Sequence, residues 1–194
     1  GATEALPLTF ISDVDLIQNC LLQTKAGRGT CVGHPMSGVK IKVIKICEGP
    51  IDQIDETHEL DSEQIGEIIV QGELVTRRYF GRPEANELSK INDWDKSGPG
   101  FWHRMGDLGY FDKEGKLWFC GRKDHRVRTS KNVELYPAQL EPIFNQIKGV
   151  ARTALVGVDY SKLPKSSSEG EVSLAFKKPV LMVEGKKWRS AKIR

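Results

Sequence analysis

The chain has 194 residues, 29 Lys and Arg against 26 Asp and Glu, and 39% hydrophobic residues, the composition of an ordinary globular protein of one domain or of a medium domain with a small one attached. No apolar run approaches the roughly 20 residues needed to cross a bilayer, and the opening Gly1-Ala2-Thr3-Glu4 has neither the basic nor the apolar region of a secretion signal. Membrane spanning and secretion therefore find no support, and a cytoplasmic protein is expected.

Ser12 stands ahead of Asp13 and Asp15, with Val14, Leu16, Ile17, Leu21 and Leu22 roughly on one face and Gly27 beyond, which predicts a helix. From Val39 to Ile46 apolar and basic residues alternate with period two, the pattern of a strand with one wet face. Residues 52–63 are polar and aperiodic and read as a surface loop, after which Ile65 to Val70 resumes strand character. Two strands flanking Asp112-Lys113-Glu114-Gly115, between Gly109 and Gly121, predict a tight hairpin in which Gly115 supplies the positive φ.

Beyond Asp124 a short alternating basic segment leads to a helix that opens on Pro137, runs through Leu140, Ile143, Phe144 and Ile147, and closes at Gly149. Val150 to Val158 predicts a strand, the Ser-, Lys- and Pro-rich stretch 162–170 a disordered surface loop, and 172–176 a further strand. Residues 177–194 hold seven Lys and Arg against one acid, the composition of a basic, solvated tail. The whole predicts an α+β protein: a β-rich, distorted barrel-like unit over residues 1–123, then a small α+β unit over 124–194.

Charge is split unevenly: residues 1–100 carry 10 Lys and Arg against 16 acids, and residues 101–194 carry 19 against 10. A second half at about +9 suits an anionic ligand such as a nucleotide, and equally a nucleic acid. Cys20, Cys31, Cys47 and Cys120 are scattered without a Cys-x-x-Cys pair and read as buried thiols of a cytosolic protein. His34, His58, His103 and His125 each lack a second ligand at metal-site spacing, so structural or surface roles are expected.

The informative set is Trp102-His103-Arg104, Gly106-Asp107-Leu108-Gly109-Tyr110, the hairpin, and Gly121-Arg122-Lys123-Asp124. Gly-Asp before a strand is commonly a turn, and Gly-Arg-x-Asp alone arises often by chance; the specificity lies in the order and the intervening hairpin. This set resembles, without gaps, the acyl-adenylate-forming superfamily of AMP-dependent synthetases and acyl-CoA synthetases. The resemblance implies that Asp107 holds the ribose hydroxyls of ATP, that Arg122 lies near the nucleotide, and that Asp124 is the hinge into a mobile C-terminal domain. A carboxylate can accept both hydrogen bonds of a diol, and a guanidinium is a permanent forked cation.

Gly1-Ala2-Thr3-Glu4 resembles the family's Gly-x-Thr-Glu loop, which implies Thr3 on the α-phosphate and Glu4 on Mg2+, a cation that prefers oxygen ligands. Ser190-Ala191-Lys192-Ile193-Arg194 resembles the C-terminal element whose lysine, here Lys192, reaches the carboxylate and α-phosphate during adenylation. Gly66-Glu67-Ile68, Gly72, Tyr79 and Gly81-Arg82-Pro83-Glu84 resemble a further family segment and read as structural strand and turn residues.

The family's Ser-, Thr- and Gly-rich phosphate loop is absent, so the chain is expected to be the C-terminal portion of a longer enzyme and inactive in adenylation by itself. The interval from Asp124 to Lys192 is short for the family, and missing residues are expected near 184–187. Thr129-Ser130-Lys131-Asn132 stands where the family has a glycine lining the pantetheine tunnel. Gly-Ala-Thr-Glu-Ala-Leu-Pro, Thr-Cys-Val-Gly and Trp-Phe-Cys-Gly-Arg-Lys are similar to olefin-pathway members that close a β-hydroxy acyl-adenylate into a β-lactone.

The resemblance thus implies activation of a fatty carboxylic acid by ATP and Mg2+ to acyl-AMP, followed by transfer to coenzyme A, or alternatively closure to a β-lactone. The implied partners are ATP, the fatty acid and the remainder of the enzyme. A basic nucleic-acid-binding module is the reading from a different class; the absence of exposed aromatic pairs at strand spacing weighs against it.

Overall fold

The computed structural model describes residues 1–94, 100–131, 133–159 and 177–185. In chain order come β1 (Thr9–Phe10), α1 (Asp13–Asp15), α2 (Leu21–Lys25), β2 (Thr30–Pro35), β3 (Val39–Ile44), β4 (Gly66–Gly72), α3 (Pro83–Ser89) and β5 (Lys90–Asn92). They are followed by β6 (Phe101–Phe111), β7 (Leu117–Arg122), β8 (Val127–Arg128), β9 (Glu134–Leu135), α4 (Pro137–Phe144), β10 (Val150–Asp159) and β11 (Lys177–Gly185). The β-rich α+β class is as expected: an antiparallel sheet in the order β1-β2-β7-β6-β4-β3, with β5 added to β6.

The predicted hairpin is its centre. Asp112 Oδ1 accepts from the backbone N–H groups of Glu114 (2.9 Å) and Lys116 (2.8 Å), Oδ2 accepts from Trp118 Nε1 (2.8 Å), and Gly115 takes φ 79°. An aspartate that bonds its own turn and a glycine in the left-handed region explain why the chain reverses here. β6 extends further back than the hairpin signal indicated, to Phe101, because β4 and β5 both pair along it.

β4 is buried at all seven positions. Ile68 and Val70 enter one apolar cluster and Ile69 another, the period-two alternation of a strand with core on both faces. Glu67 is buried with Arg104, whose Nε and Nη2 donate to the two carboxylate oxygens at 2.9 and 2.8 Å. The remaining Arg104 N–H groups go to the carbonyls of Gly49, Leu88 and Cys47, so all five donors are used.

The helix predicted after Ser12 forms, with Ser12 Oγ accepting from Asp15 N–H at 3.1 Å. A π-turn over Leu16–Cys20 joins α1 to α2. That extra residue per turn rotates the face, so Cys20 is buried while Val14, Ile17 and Leu22 are exposed, contrary to the apolar face expected. Pro83 at the first helical position starts α3, a helix where strand and turn were expected.

In the C-terminal part, α4 lies against β10, where Glu141 Oε1 accepts from Leu155 N–H (2.9 Å) and Thr153 Oγ1 donates to Asn145 Oδ1 (2.9 Å). The stretch from residue 177, whose basic composition is also that of a solvated tail, is strand through Gly185, paired antiparallel with β10 from Val150↔Gly185 to Asp159↔Lys177. Cross-strand pairing, including the Arg152–Glu184 ion pair, overrides the basic composition. The loop 162–170, the strand 172–176 and Lys192 lie outside the described residues, as do residues 186–187 of the suspected gap; 184 and 185 belong to unbroken strand.

Candidate nucleotide site

Asp107 on β6 and Arg122 on β7 stand directly opposite each other. Arg122 Nη1 donates to Asp107 Oδ1 at 2.8 Å and to the Met105 carbonyl at 3.1 Å. Gly106 between them adopts φ 66°, and a Cβ there would lie 3.2 Å from Arg122 Nη2, so glycine both makes the bend and clears space for the guanidinium. In sequence these groups flank the hairpin, and its register brings them into contact. Burial raises the Asp107 carboxyl above its ordinary value, against the opposing pull of Arg122.

The Gly1-Ala2-Thr3-Glu4 segment is a tight turn held by two backbone bonds between Ala2 and Ala5, of 3.1 and 2.9 Å. Ala5 is fully buried and bridges Val75, and Thr76 N–H donates to the Glu4 carbonyl at 2.8 Å. These bonds fix Glu4 in place while Thr3 is exposed. Glu4 Oε1 accepts from Tyr79 Oη at 2.9 Å. Its carboxyl is held below the ordinary range by its own backbone N–H and by Tyr79, with nearby cationic groups assisting.

His103 is buried, with Nδ1 3.2 Å from the Ser89 carbonyl, and burial together with Lys90 lowers it to about 4. It is therefore neutral at pH 7, and Lys90 is the cation that acts on Glu4 there. Burial brings Lys90 itself down to about 8. Its ammonium donates to the Thr76 carbonyl and sits 5.7 Å from the Tyr79 ring centroid.

Glu4, Tyr79, His103, Arg122 and Asp124 share a cleft of about 310 Å³, near the lower end of the roughly 300–1,000 Å³ usual for ligand sites. Asp107 lines a neighbouring cavity of about 250 Å³, so the Asp107–Arg122 pair joins the two. Thr3 lines neither. Asp124 sits in a 3-10 turn just past β7. Lys123 is pinned to Glu67 (3.2 Å) and the Cys47 carbonyl (2.6 Å), while Arg126 and Arg128 both pair with Glu48 and Glu134.

For Mg2+, the described residues hold no group of three or more His, Cys, Asp or Glu that could form a cage. A single ionised carboxylate on the cleft still fits, because Mg2+ keeps several waters and is typically held by one or two carboxylates with substrate phosphates. Sequence reasoning singled out Thr3, Glu4, Asp107, Arg122, Asp124 and Lys192, the last outside the described residues; it missed Tyr79, Lys90 and His103 as neighbours of Glu4. Their separation of 75 or more residues from Glu4 leaves no local pattern to find them by.

No protein-family model matches the chain. Its sequence is 44% identical over 159 residues to the olefin beta-lactone synthetase of Stenotrophomonas maltophilia and 45% identical over 159 residues to that of Xanthomonas campestris. Each match covers 81% of this chain and 28% of the relative. O-succinylbenzoate coenzyme A synthetase from Bacillus subtilis, solved in complex with ATP and magnesium ion, shares the fold at TM-score 0.67 and 24% identity, covering 99% of this chain and 32% of that one. By sequence and by fold the chain belongs with the adenylate-forming superfamily and matches its C-terminal portion. Within it, the relatives at 44 and 45% identity are olefin beta-lactone synthetases, of whose length the chain spans about 28%.

Proposed function

We propose that this chain is the nucleotide-holding part of an enzyme that activates a β-hydroxy fatty acid with ATP and closes the adenylate to a β-lactone. The substrate carboxylate attacks the α-phosphorus, the bond to the β-phosphate oxygen breaks, and pyrophosphate leaves. The β-hydroxyl oxygen then attacks the acyl carbon, its proton is released, and AMP departs. Lactone closure is preferred to transfer to coenzyme A because the sequence stands at 44 and 45% identity to synthetases of that name. The coenzyme A ligase reading is the second, supported by the fold shared with a coenzyme A synthetase.

The observation that carries the proposal is the Asp107–Arg122 pair across β6 and β7, opening beside the Glu4 cleft. Asp107 accepts from the ribose diol, and Arg122 faces negative charge as pyrophosphate departs. Glu4 would hold Mg2+, which when bound would supply charge neutralisation for the phosphates. Thr3 orients the α-phosphate from its exposed turn, and Lys192 supplies a further cation during adenylation. Asp124 is the pivot between residues 1–123 and 124–194.

The buried free thiols Cys20, Cys31 and Cys120 accord with a reducing, cytoplasmic setting, and among the described residues no helix is long and apolar enough to cross a membrane. A nucleic-acid module is disfavoured because Arg104, Arg122, Lys123, Arg126 and Arg128 of the basic half are each paired with carboxylates. The test supplies the complete enzyme with ATP, Mg2+ and a β-hydroxy fatty acid in the absence of coenzyme A. A β-lactone with AMP and pyrophosphate is expected; a thioester formed only when coenzyme A is added would select the second reading.

A further inference from the structure

Tyr79 has no role in the reaction as proposed so far, yet its backbone and its side chain are both held in place on the cleft. Its backbone is locked on both sides by one residue: Tyr79 N–H donates to Asn86 Oδ1 at 2.6 Å, and Asn86 Nδ2 donates to the Tyr79 carbonyl at 3.0 Å. Its ring meets His103 edge-on, with centroids 6.4 Å apart, and carries the Lys90 ammonium 5.7 Å from its centroid. From this fixed position the phenol donates to Glu4 Oε1.

We infer that Tyr79 is a positioning residue that aims the Glu4 carboxylate at a divalent cation in the cleft. The inference rests on the reading of Glu4 as a metal ligand. An ionised carboxylate has about four acceptor positions, and the phenol occupies one on Oε1, which fixes the plane of the group and leaves capacity toward the cleft. The α3 helix that supplies Asn86 thereby acquires a role in setting the geometry of a turn more than 80 residues earlier in the chain. Hydrogen-bond partners behind a metal ligand orient it, and their loss typically costs 10–100-fold in metal affinity or activity.

The experiment titrates Mg2+ in ATP–pyrophosphate exchange by the complete enzyme, and in parallel follows Mn2+ binding with ATP by electron paramagnetic resonance. Tyr79→Phe, which keeps the ring and its contacts, is expected to raise the half-saturating metal concentration about tenfold in both readouts while maximal exchange at saturating metal changes little. Glu4→Gln is expected to raise it further, and adding Tyr79→Phe to Glu4→Gln to change nothing more, because the phenol acts only through that carboxylate. Unchanged metal dependence in Tyr79→Phe beside a shifted Glu4→Gln overturns the role of Tyr79 alone. Unchanged metal dependence in Glu4→Gln overturns the assignment of Glu4 beneath it. Should Tyr79→Phe fail to fold, Asn86→Ala stands in: it frees the Tyr79 loop and is expected to give a smaller shift in the same direction, and no shift overturns the inference.

Discussion

The seven-stranded sheet and the segment after Asp124 are held together by different physics. The sheet buries Ile69, Val70, Ile91, Leu108 and Trp118 almost completely and keeps a fully satisfied Glu67–Arg104 pair inside. Beyond Asp124, α4 has no buried residue, β11 exposes Met182 and Val183, and the link back to the sheet includes the exposed carboxylate of Glu48 shared between Arg126 and Arg128. One region is a platform with a deep apolar core; the other is attached by polar contacts together with buried Val127 and with Tyr136, which packs against the cluster that holds Leu108 and Trp118.

The comparison is broken most forcefully at Arg104. Arg104→Met strips Glu67 of its fork and leaves the carbonyls of Gly49 and Leu88 short of donors, with Lys123 alone remaining on Glu67 and the Cys47 carbonyl. Removal of one partner from a buried pair costs about 3–5 kcal/mol, which urea unfolding would read as a large fall in midpoint. A denaturation midpoint close to wild type would remove the platform from the account.

Truncation sharpens the same contrast. Leu108→Ala, at a fully buried position on β6, is expected to cost about 2–5 kcal/mol, whereas Met182→Ala on β11, 59% exposed, is expected to stay within about 0.5 kcal/mol. Equal costs at the two positions would mean that the C-terminal part has a core of its own.

Platform and attachment were unequally legible in the sequence. The β6–β7 hairpin could be found because Asp112 and Gly115 encode a turn locally, and once two strands are joined there, the opposition of Asp107 and Arg122 follows from register. The Glu67–Arg104 pair could not, since charged residues normally face water and these are 37 positions apart. The α1–α2 face was misjudged because a π-turn breaks the 3.6-residue period. Strand β11 was hidden by its lysines; only its partner β10 makes a strand of it. The setting of Glu4 depends on Tyr79 and Lys90, brought to it by tertiary folding alone.

A smaller effect is expected at the attachment. Glu48→Gln should cost under about 1 kcal/mol of global stability, as exposed ion pairs do, yet speed amide hydrogen exchange across residues 126–135. Although burial works against it, the two guanidiniums hold the Glu48 carboxyl below its ordinary 4.5. Its contribution is therefore complete at neutral pH and fades only as the pH falls below about 4.5 through the lowered native value. Protection of residues 126–135 that is indifferent to acid would argue against this clamp.

The smallest stability effect belongs to Asp107. Burial raises its carboxyl, so the native state disfavours the charge, and its contribution to stability declines as pH rises from the ordinary 3.8 through the raised native value. Asp107→Asn should escape that decline and melt no lower than wild type at pH 7. A clear drop in melting temperature would make Asp107 a structural residue.

We propose that Asp107, facing Arg122 beside a cleft, is held there for a nucleotide. Isothermal titration of AMP into the complete enzyme and its Asp107→Ala variant measures this directly. Loss of charged hydrogen bonds to the ribose predicts affinity lower by roughly 10–100-fold, about 1.5–3 kcal/mol, in a variant that remains folded. Equal AMP affinity in the two proteins would contradict the assignment of Asp107 and Arg122 as the nucleotide site.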